Sequence, residues 1–328
     1  MLATKILGTG SYLPENKETT EAFLKKGAPL ELIERWGVYE HRVMPKSMTV
    51  TDMEATAALR AIQSAGLHVD DIELIICATA LPRQLCTPNS NALQEKLGAR
   101  RAAAFDINMA CAGNIAAMIV AAQFIALNQY KYVLVTGSSY FTAVADQTDA
   151  ASFIVLGDGA GAVVMGASKH SGILAHDLQS NGRYYDHCGI NRRLPKKREE
   201  KSKISEEELL FYVTSPEDTP EDMLDYIKSS LPNSVKKSLS RCGIRNNDID
   251  LLVAHQNISP IVDSWVNLIG IHEKNTVFTY QKYGNMPAAN IFVNLDEAVQ
   301  NKRIKDNDIV VFAGQGAGFS VGSIVYTW

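Results

Sequence analysis

Three residues of this chain pair a reactive side chain with a setting that suits catalysis: Cys111, His255 and Asn285. Cys111 follows the apolar run Ala103-Ala104-Phe105-Asp106-Ile107 and precedes the small residues Ala112-Gly113-Asn114. A thiol at a helix start faces the positive end of the helix dipole and unpaired N–H groups. Both favour the thiolate, so a depressed pKa is expected there. Ala110, Ala112 and Gly113 leave room for a close substrate, and such a thiol could attack a carbonyl carbon. An inert buried thiol, the commonest fate of a free cysteine, fits the position of Cys111 equally well. Cys77, Cys86, Cys188 and Cys242 have no comparable setting and read as inert.

His255 stands at the end of the strand-like run Asp250-Leu251-Leu252-Val253-Ala254, where side chains enter the functional face of parallel-sheet folds. A lone histidine leaving a strand is more often structural. Asn285 lies in Tyr283-Gly284-Asn285-Met286-Pro287-Ala288-Ala289-Asn290, where an ordinary helix cap is the plain alternative. Two glycine clusters flank these residues, Gly157-Asp158-Gly159-Ala160-Gly161 and Gly314-Gln315-Gly316-Ala317-Gly318. Neither has the Lys-Ser/Thr of a phosphate loop or the spacing of a dinucleotide fingerprint. Close backbone approach, positive-φ turns and an oxyanion-binding N–H near Gly318 are the expected roles.

The elements that carry these residues repeat. Ala61–Leu67 and the run Asp71–Ile76 match Ser238–Ile244 and Asp248–Val253, with Gly66 falling on Gly243, 177 residues on. The same offset lays Val133-Leu134-Val135-Thr136-Gly137 on Val310-Val311-Phe312-Ala313-Gly314 and carries Cys111 to residue 288, close to Asn285. In each copy a helix stops at glycine and an apolar strand follows. Duplication predicts an α/β protein of two pseudo-symmetric halves, 1–170 and 171–328, each with a largely parallel sheet covered by helices. Lys5–Gly8 opens the first half and Gly172–Ala175 the second. Residues 181–221 lie outside the repeat and read as an insertion covering one end of the sheets.

Composition bounds the rest. A chain of 328 residues, 46% hydrophobic, can bury a large core, and a formal net charge of -4 gives no electrostatic case for nucleic acid. Ile115–Leu127, the most apolar stretch, is Ala-rich and interrupted by Gln123, so it reads as a buried helix and not a membrane span. Five cysteines without paired spacing, and no leader-like opening, predict free thiols in a reducing cytoplasm. No metal cluster or bound cofactor is expected.

In one order along nearly the whole chain, these motifs resemble those of the ketoacyl-acyl-carrier-protein synthase III family. Ile6–Pro14 is similar to its opening strand and Arg35-Trp36-Gly37-Val38 to its R-x-G-I segment. Asp106–Gly113 resembles its nucleophile motif, Gly157–Ala162 its G-D-G-A-G-A run, and His255-Gln256-Asn257, Gly284-Asn285 and Gly314–Gly318 its remaining motifs. The resemblance implies a thiolase fold, a layered αβαβα sandwich that acts as a homodimer. It also implies transfer of an acyl group from a CoA or carrier-protein thioester to Cys111. Decarboxylative condensation with a malonyl-type or β-keto thioester would follow, with His255 and Asn285 as donors to the enolate. The N–H groups of Cys111 and of the Gly316–Gly318 loop would form the oxyanion hole. Arg35, Thr87, Asn257 and Phe319 are implied as substrate-binding residues.

Close cousins can be weighed by absence. A degradative thiolase needs a second cysteine near the last glycine loop, and none follows Cys242; a Cys-His-His synthase needs a histidine at Asn285, and none follows His272. Departures also stand out. The family commonly has a Trp near the position of Glu31, an Arg near Ala150 and a basic residue near Pro260, all serving the donor. Their loss points to fatty-acid-derived or polyketide specialised metabolism. The basic run Arg192, Arg193, Lys196, Lys197 and Arg198 could dock an acidic carrier protein, with a solvated loop as the plain alternative. An ester- or amide-forming acyltransferase, a type III polyketide synthase-like enzyme (for which the chain is short) and a non-catalytic partner subunit are the other readings.

Overall fold

The structure, a computed structural model, describes residues 3–169, 172–190, 209–214 and 219–328. β1 (Ala3–Tyr12) leads to β2 (Lys17–Thr19), the short helices α1 (Thr20–Lys25) and α2 (Leu30–Trp36), and β3 (Glu40–Arg42), which pairs with β2. α3 (Val50–Ser64) begins with a capping box in which Thr49 and Asp52 satisfy each other's N–H groups. Its alanine-rich face presses on β1, and only glycine fits beneath it: a Cβ at Gly8 would lie 2.4 Å from the Ala61 carbonyl oxygen. β4 (Leu74–Ala78), α4 (Asn89–Leu97), β5 (Ala103–Ile107), α5 (Gly113–Ala126), β6 (Tyr132–Tyr140), α6 (Ala150–Val155) and β7 (Asp158–Ser168) follow.

β8 (Gly172–Ser180) opens the second sheet, and a small ribbon of β9 (Cys188–Ile190) and β10 (Phe211–Val213) comes next. Then come α7 (Glu221–Cys242), β11 (Leu251–Ala254), α8 (Ser259–Ile269), α9 (Tyr280–Tyr283), α10 (Asn290–Gln300), β12 (Ile309–Gly316) and β13 (Ser320–Thr327). The sheets run β1-β7-β6-β4-β5 and β11-β12-β13-β8, so the second repeats the order of the first without its β5. α3 and α7 both stop before a left-handed glycine, Gly66 at φ +67° and Gly243 at φ +72°.

The sheets are mixed, not largely parallel as expected. β4 pairs parallel with β5 and β6, and β11 with β12, but β7 and β13 run antiparallel to both of their neighbours. The turn from Gly316 to Ser320 is too short for a crossover and forces an antiparallel return. The central strands are apolar on both faces. Ile76, Val253 and Phe312 point into a core shared with α5 and α10, while Ile75 packs under α3 and Leu252 and Val311 under α7 and α8. Two sheets therefore enclose a helical layer and carry one on each outer side, giving five αβαβα layers.

Candidate active site

Cys111 occupies a single tight turn, Ala110–Ala112, between β5 and α5. Ala110 adopts φ +47°, a left-handed conformation costly for a residue with a Cβ, and its N–H is held by Asn108 Oδ1 at 3.0 Å. The end of β12 lies against this turn. A Cβ at Gly316 would stand 2.8 Å from Cys111 N, and one at Gly314 3.1 Å from Ala112 Cα. The glycine cluster there serves close approach, and Gly318 at φ +118° carries the chain out of it.

The backbone N–H groups of Cys111 and Ala317 reach the Cys111 thiol, yet burial raises its pKa to about 12, and the nearby Cys188 thiol pushes in the same direction. The expected depression is therefore overturned. Desolvation penalises the thiolate more than the two N–H groups favour it, and no cation among the described residues compensates. Cys188, on β9, lies near enough to act on the Cys111 thiol, and burial raises its own pKa to about 11, as suits an inert thiol.

His255 leaves β11 with its N–H donating to Ala313 O at 2.8 Å, one residue before Gly314. It is 2% exposed, and burial lowers its pKa to about 4, so the imidazole is neutral. Its Nδ1 has no partner among the described residues. Asn285 is not a helix cap, since α10 starts five residues later. Its N–H donates to Val155 O at 2.7 Å and its carbonyl accepts from Gly157 N–H at 2.9 Å. Gly157 is required there because a Cβ would lie 2.1 Å from Tyr283 O. Asn285 Oδ1 is buried and also without a partner among the described residues. β12 thus lies against both His255 and the Cys111 turn, the segment bearing Asn285 is tied to α5 by Asn114 Nδ2 donating to Ala288 O, and His255 and Asn285 each keep one buried polar atom without a partner among the described residues.

The surroundings divide into an aromatic wall and an apolar cluster. Phe319 packs against His187 at 5.7 Å, Tyr226 at 6.0 Å and Tyr184 at 6.4 Å between ring centroids, and its backbone pairs both ways with Asn181. Phe141, Leu156, Leu81 and Phe211 form an apolar cluster beside Asn285, whose main chain bridges Leu156. Arg35 is exposed on α2, whose end packs on α8: a Cβ at Gly37 would lie 3.3 Å from Ser259 Cβ. Thr87 is exposed in the loop after β4, and Asn257 turns its Oδ1 back onto Ile258 N–H at 2.7 Å. Arg192, Arg193, Lys196, Lys197 and Arg198 lie outside the described residues. Sequence reasoning named the Gly316–Gly318 loop but not Ala317 within it, and it missed the nearness of Cys188 and the wall around Phe319, whose rings come from the turn after β8 and from α7, because no spacing rule reports such placement.

Two stacked mixed sheets around paired central helices, with a cysteine at the start of the first, define the thiolase-fold class of α/β enzymes. Within that class the chain belongs to the 3-oxoacyl-[acyl-carrier-protein] synthase III family, the acyl-transferring condensing enzymes. The family model for 3-oxoacyl-[acyl-carrier-protein (ACP)] synthase III matches residues 105–182, and its C-terminal counterpart matches residues 239–328. The chain is 32% identical to a beta-ketoacyl-[acyl-carrier-protein] synthase III of Oceanobacillus iheyensis, with 98% of each chain covered. It is 33% identical to that of Geobacillus kaustophilus, again over 98% of each. The solved 3-oxoacyl-[acyl-carrier-protein] synthase III of Aquifex aeolicus superposes with a TM-score of 0.89 at 28% identity, covering 99% of this chain and 100% of that one. Among the described residues no helix is long and apolar enough to cross a membrane.

Proposed function

We propose that Cys111 accepts an acyl group from a CoA or carrier-protein thioester, and that His255 and Asn285 then serve the condensation. The observation that carries this reading is that the Ala313–Gly316 strand end lies against both His255 and the Cys111 turn, while Asn114, three residues after Cys111, donates to Ala288 O of the segment bearing Asn285. In the first step the thiol sulfur bonds to the acyl carbon, and its proton ends on the departing CoA or carrier thiol. In the second, a malonyl-type thioester loses carbon dioxide, and its carbonyl oxygen takes the negative charge. Donors from the neutral, buried His255 ring and the Asn285 amide stabilise that enolate. The enolate carbon attacks the acyl-cysteine and releases Cys111. The N–H groups of Cys111 and of the Gly316–Gly318 loop, with Ala317 already on the sulfur, hold the tetrahedral oxyanion. The apolar cluster beside Asn285 suits an acyl chain, and Phe319, Arg35, Thr87 and Asn257 would border the donor.

The two halves divide at residues 170 and 171. Among the described residues β5 leaves an unpaired edge on the first sheet, which supports a homodimer built by pairing with a second copy. Five free cysteines support a reducing cytoplasmic setting. Glu31 and Pro260, on the packed pair α2 and α8, support a role in specialised metabolism with a donor held differently from the usual one.

The test is intact mass after exposure to a panel of acyl-CoA and acyl-carrier thioesters, followed by condensation assays. Cys111→Ala should lose the acyl adduct. Asn285→Ala should still acylate but lose decarboxylation by roughly two to three orders of magnitude. Acylation of Cys111→Ala on another cysteine would overturn the nucleophile. Normal condensation by Asn285→Ala would reduce the reaction to plain acyl transfer.

A further inference from the structure

His255 and Asn285 come from different segments, and their separation is set by main chain. On one side His255 N–H is held by Ala313 O. On the other, two asparagines of α10 grip the carbonyls that flank it. Asn294 Nδ2 donates to Ala254 O at 3.0 Å, and Asn290 Nδ2 donates to Gln256 O at 3.2 Å. The two amides are joined by Asn294 Nδ2 donating to Asn290 Oδ1 at 2.9 Å, and Thr279 Oγ1 donates to Asn294 Oδ1 at 2.5 Å. The Gln256 side chain completes the web. Its Oε1 accepts from the N–H groups of Thr279 at 2.7 Å and Tyr280 at 3.1 Å, and its Nε2 donates to Val277 O.

Gln256, Thr279, Asn290 and Asn294 are all 0% exposed. Apolar side chains would fill this space at lower desolvation cost, so stability alone does not call for four buried polar groups. What such a web provides is one fixed geometry. The segment bearing Asn285 leads into the same helix: the N–H groups of Ala289 and Asn290 donate to Met286 O at 3.0 and 2.8 Å, so that segment hangs from the start of α10. The helix is thereby bonded to both donors, at His255 through its neighbours' carbonyls and at Asn285 through the chain.

We propose that Asn290 and Asn294 are positioning residues for the condensation step, fixing the His255 imidazole against Asn285 and so setting the spacing of the two enolate donors. This rests on the roles given to His255 and Asn285 above. Acylation of Cys111 needs no such spacing, so the two half-reactions separate under mutation.

The experiment measures Cys111 acylation rate, condensation kcat and KM, and thermal unfolding for Asn290→Ala, Asn294→Ala, Asn290→Ser and Leu295→Ala. Leu295 is buried in the apolar core on the same helix and takes no part in these hydrogen bonds, so it reports the effect of instability alone. The expected result is acylation within about twofold of the parent and an unchanged KM. Condensation kcat should fall roughly 10- to 100-fold in the alanine variants, the scale set by misplacing a catalytic group by about 1 Å. Leu295→Ala should lose thermal stability and keep kcat. Asn290→Ser retains a donor facing the Gln256 carbonyl and should recover most of the rate; being the mildest change, it carries the test if Asn294→Ala does not fold. Equal losses of acylation and condensation, or a kcat loss matched by Leu295→Ala, would overturn the proposal. So would an Asn290→Ser variant no better than Asn290→Ala. If Asn285→Ala condenses normally, the roles of the donor pair fail instead. If Asn285→Ala fails to condense while the α10 variants are unaffected, only the positioning fails.

Discussion

The side-chain amide of Asn114 donates a 2.8 Å hydrogen bond to the main-chain oxygen of Ala288. Asn114 lies in the first turn of α5, three residues after Cys111, and Ala288 lies three residues after Asn285. Both are 0% exposed. Gly137 of β6 lets the same oxygen in, since a Cβ there would lie 1.9 Å from it. One bond thus ties the nucleophile's helix to the segment bearing Asn285.

Asn114→Ala leaves the Ala288 carbonyl buried without a donor. The expected loss is about 1–3 kcal/mol of unfolding free energy, the cost of one unsatisfied buried group. Gly137→Ala forces the Ala288 segment to move and should impair condensation more than acylation. Denaturant midpoints and the two half-reaction rates check this. A Gly137→Ala enzyme that condenses at the parent rate would show that the segment's height above Cys111 is not fixed.

Burial holds His255 near a pKa of about 4 instead of the ordinary 6.5. Between those values the unfolded chain binds a proton that the folded site refuses. The stabilising contribution of His255 is therefore complete above 6.5 and is lost as pH falls through about 4. Single-turnover condensation by the acylated enzyme should follow the same course, flat through 6.5 and failing only near 4. Rapid-quench rates across this range decide it, and a step at the ordinary histidine value would mean the ring is hydrated and not buried.

Glu54 of α3 behaves in the opposite sense. It is buried with Oε1 accepting from Ser138 Oγ at 2.6 Å, and its Oε2 has no partner among the described residues. Burial first, and the nearby Asp106 carboxylate in addition, raise its pKa from 4.5 to about 7, against the pull of Ser138. The folded state holds this proton more tightly, so the contribution of Glu54 is full below 4.5 and lost as pH rises through about 7. Glu54→Gln removes the charge and keeps the shape. It should stabilise the protein above neutral pH by up to about 3 kcal/mol and flatten the slope of stability against pH. Unfolding midpoints of the two proteins at acid and alkaline pH measure the difference, and parallel slopes would mean Glu54 is ionised without penalty.

The layers were legible because the central strands are apolar on both faces and because Gly66 and Gly243 punctuate the same helix–strand step at one offset. Strand direction was not. Nothing in the composition of β7 or β13 distinguishes an antiparallel return from a parallel one; the short turn after Gly316 decides it. At the site, motif order singled out Cys111, His255 and Asn285, whose segments do meet. The sign of the Cys111 shift was misjudged because a helix-start rule counts N–H groups and the dipole but not desolvation. The nearness of Cys188 to Cys111 was not legible because the ribbon of β9 and β10, which carries it, has no periodicity that reports a neighbour 77 residues back in the chain.

α8 has Pro260 in its first turn and no basic residue along its length, and α2, packed against it, offers Glu31 and a single cation, Arg35. A CoA donor, with an adenine to stack and phosphates to neutralise, finds little purchase on that pair. An acidic carrier protein carries the same phosphopantetheine arm and can be steered by charge elsewhere. The run Arg192, Arg193, Lys196, Lys197 and Arg198, outside the described residues, supplies that charge in the sequence. Carrier-bound substrates should then give a higher kcat/KM than matched CoA thioesters in at least one half-reaction. The advantage should shrink with added salt, because exposed charges are screened over about 10 Å at 0.1 M ionic strength. Charge reversal at Lys196 and Lys197 should reduce it further while leaving CoA kinetics unchanged. Equal or better use of CoA, insensitive to salt and to charge reversal, would make the basic run a solvated segment and return the enzyme to CoA-dependent priming.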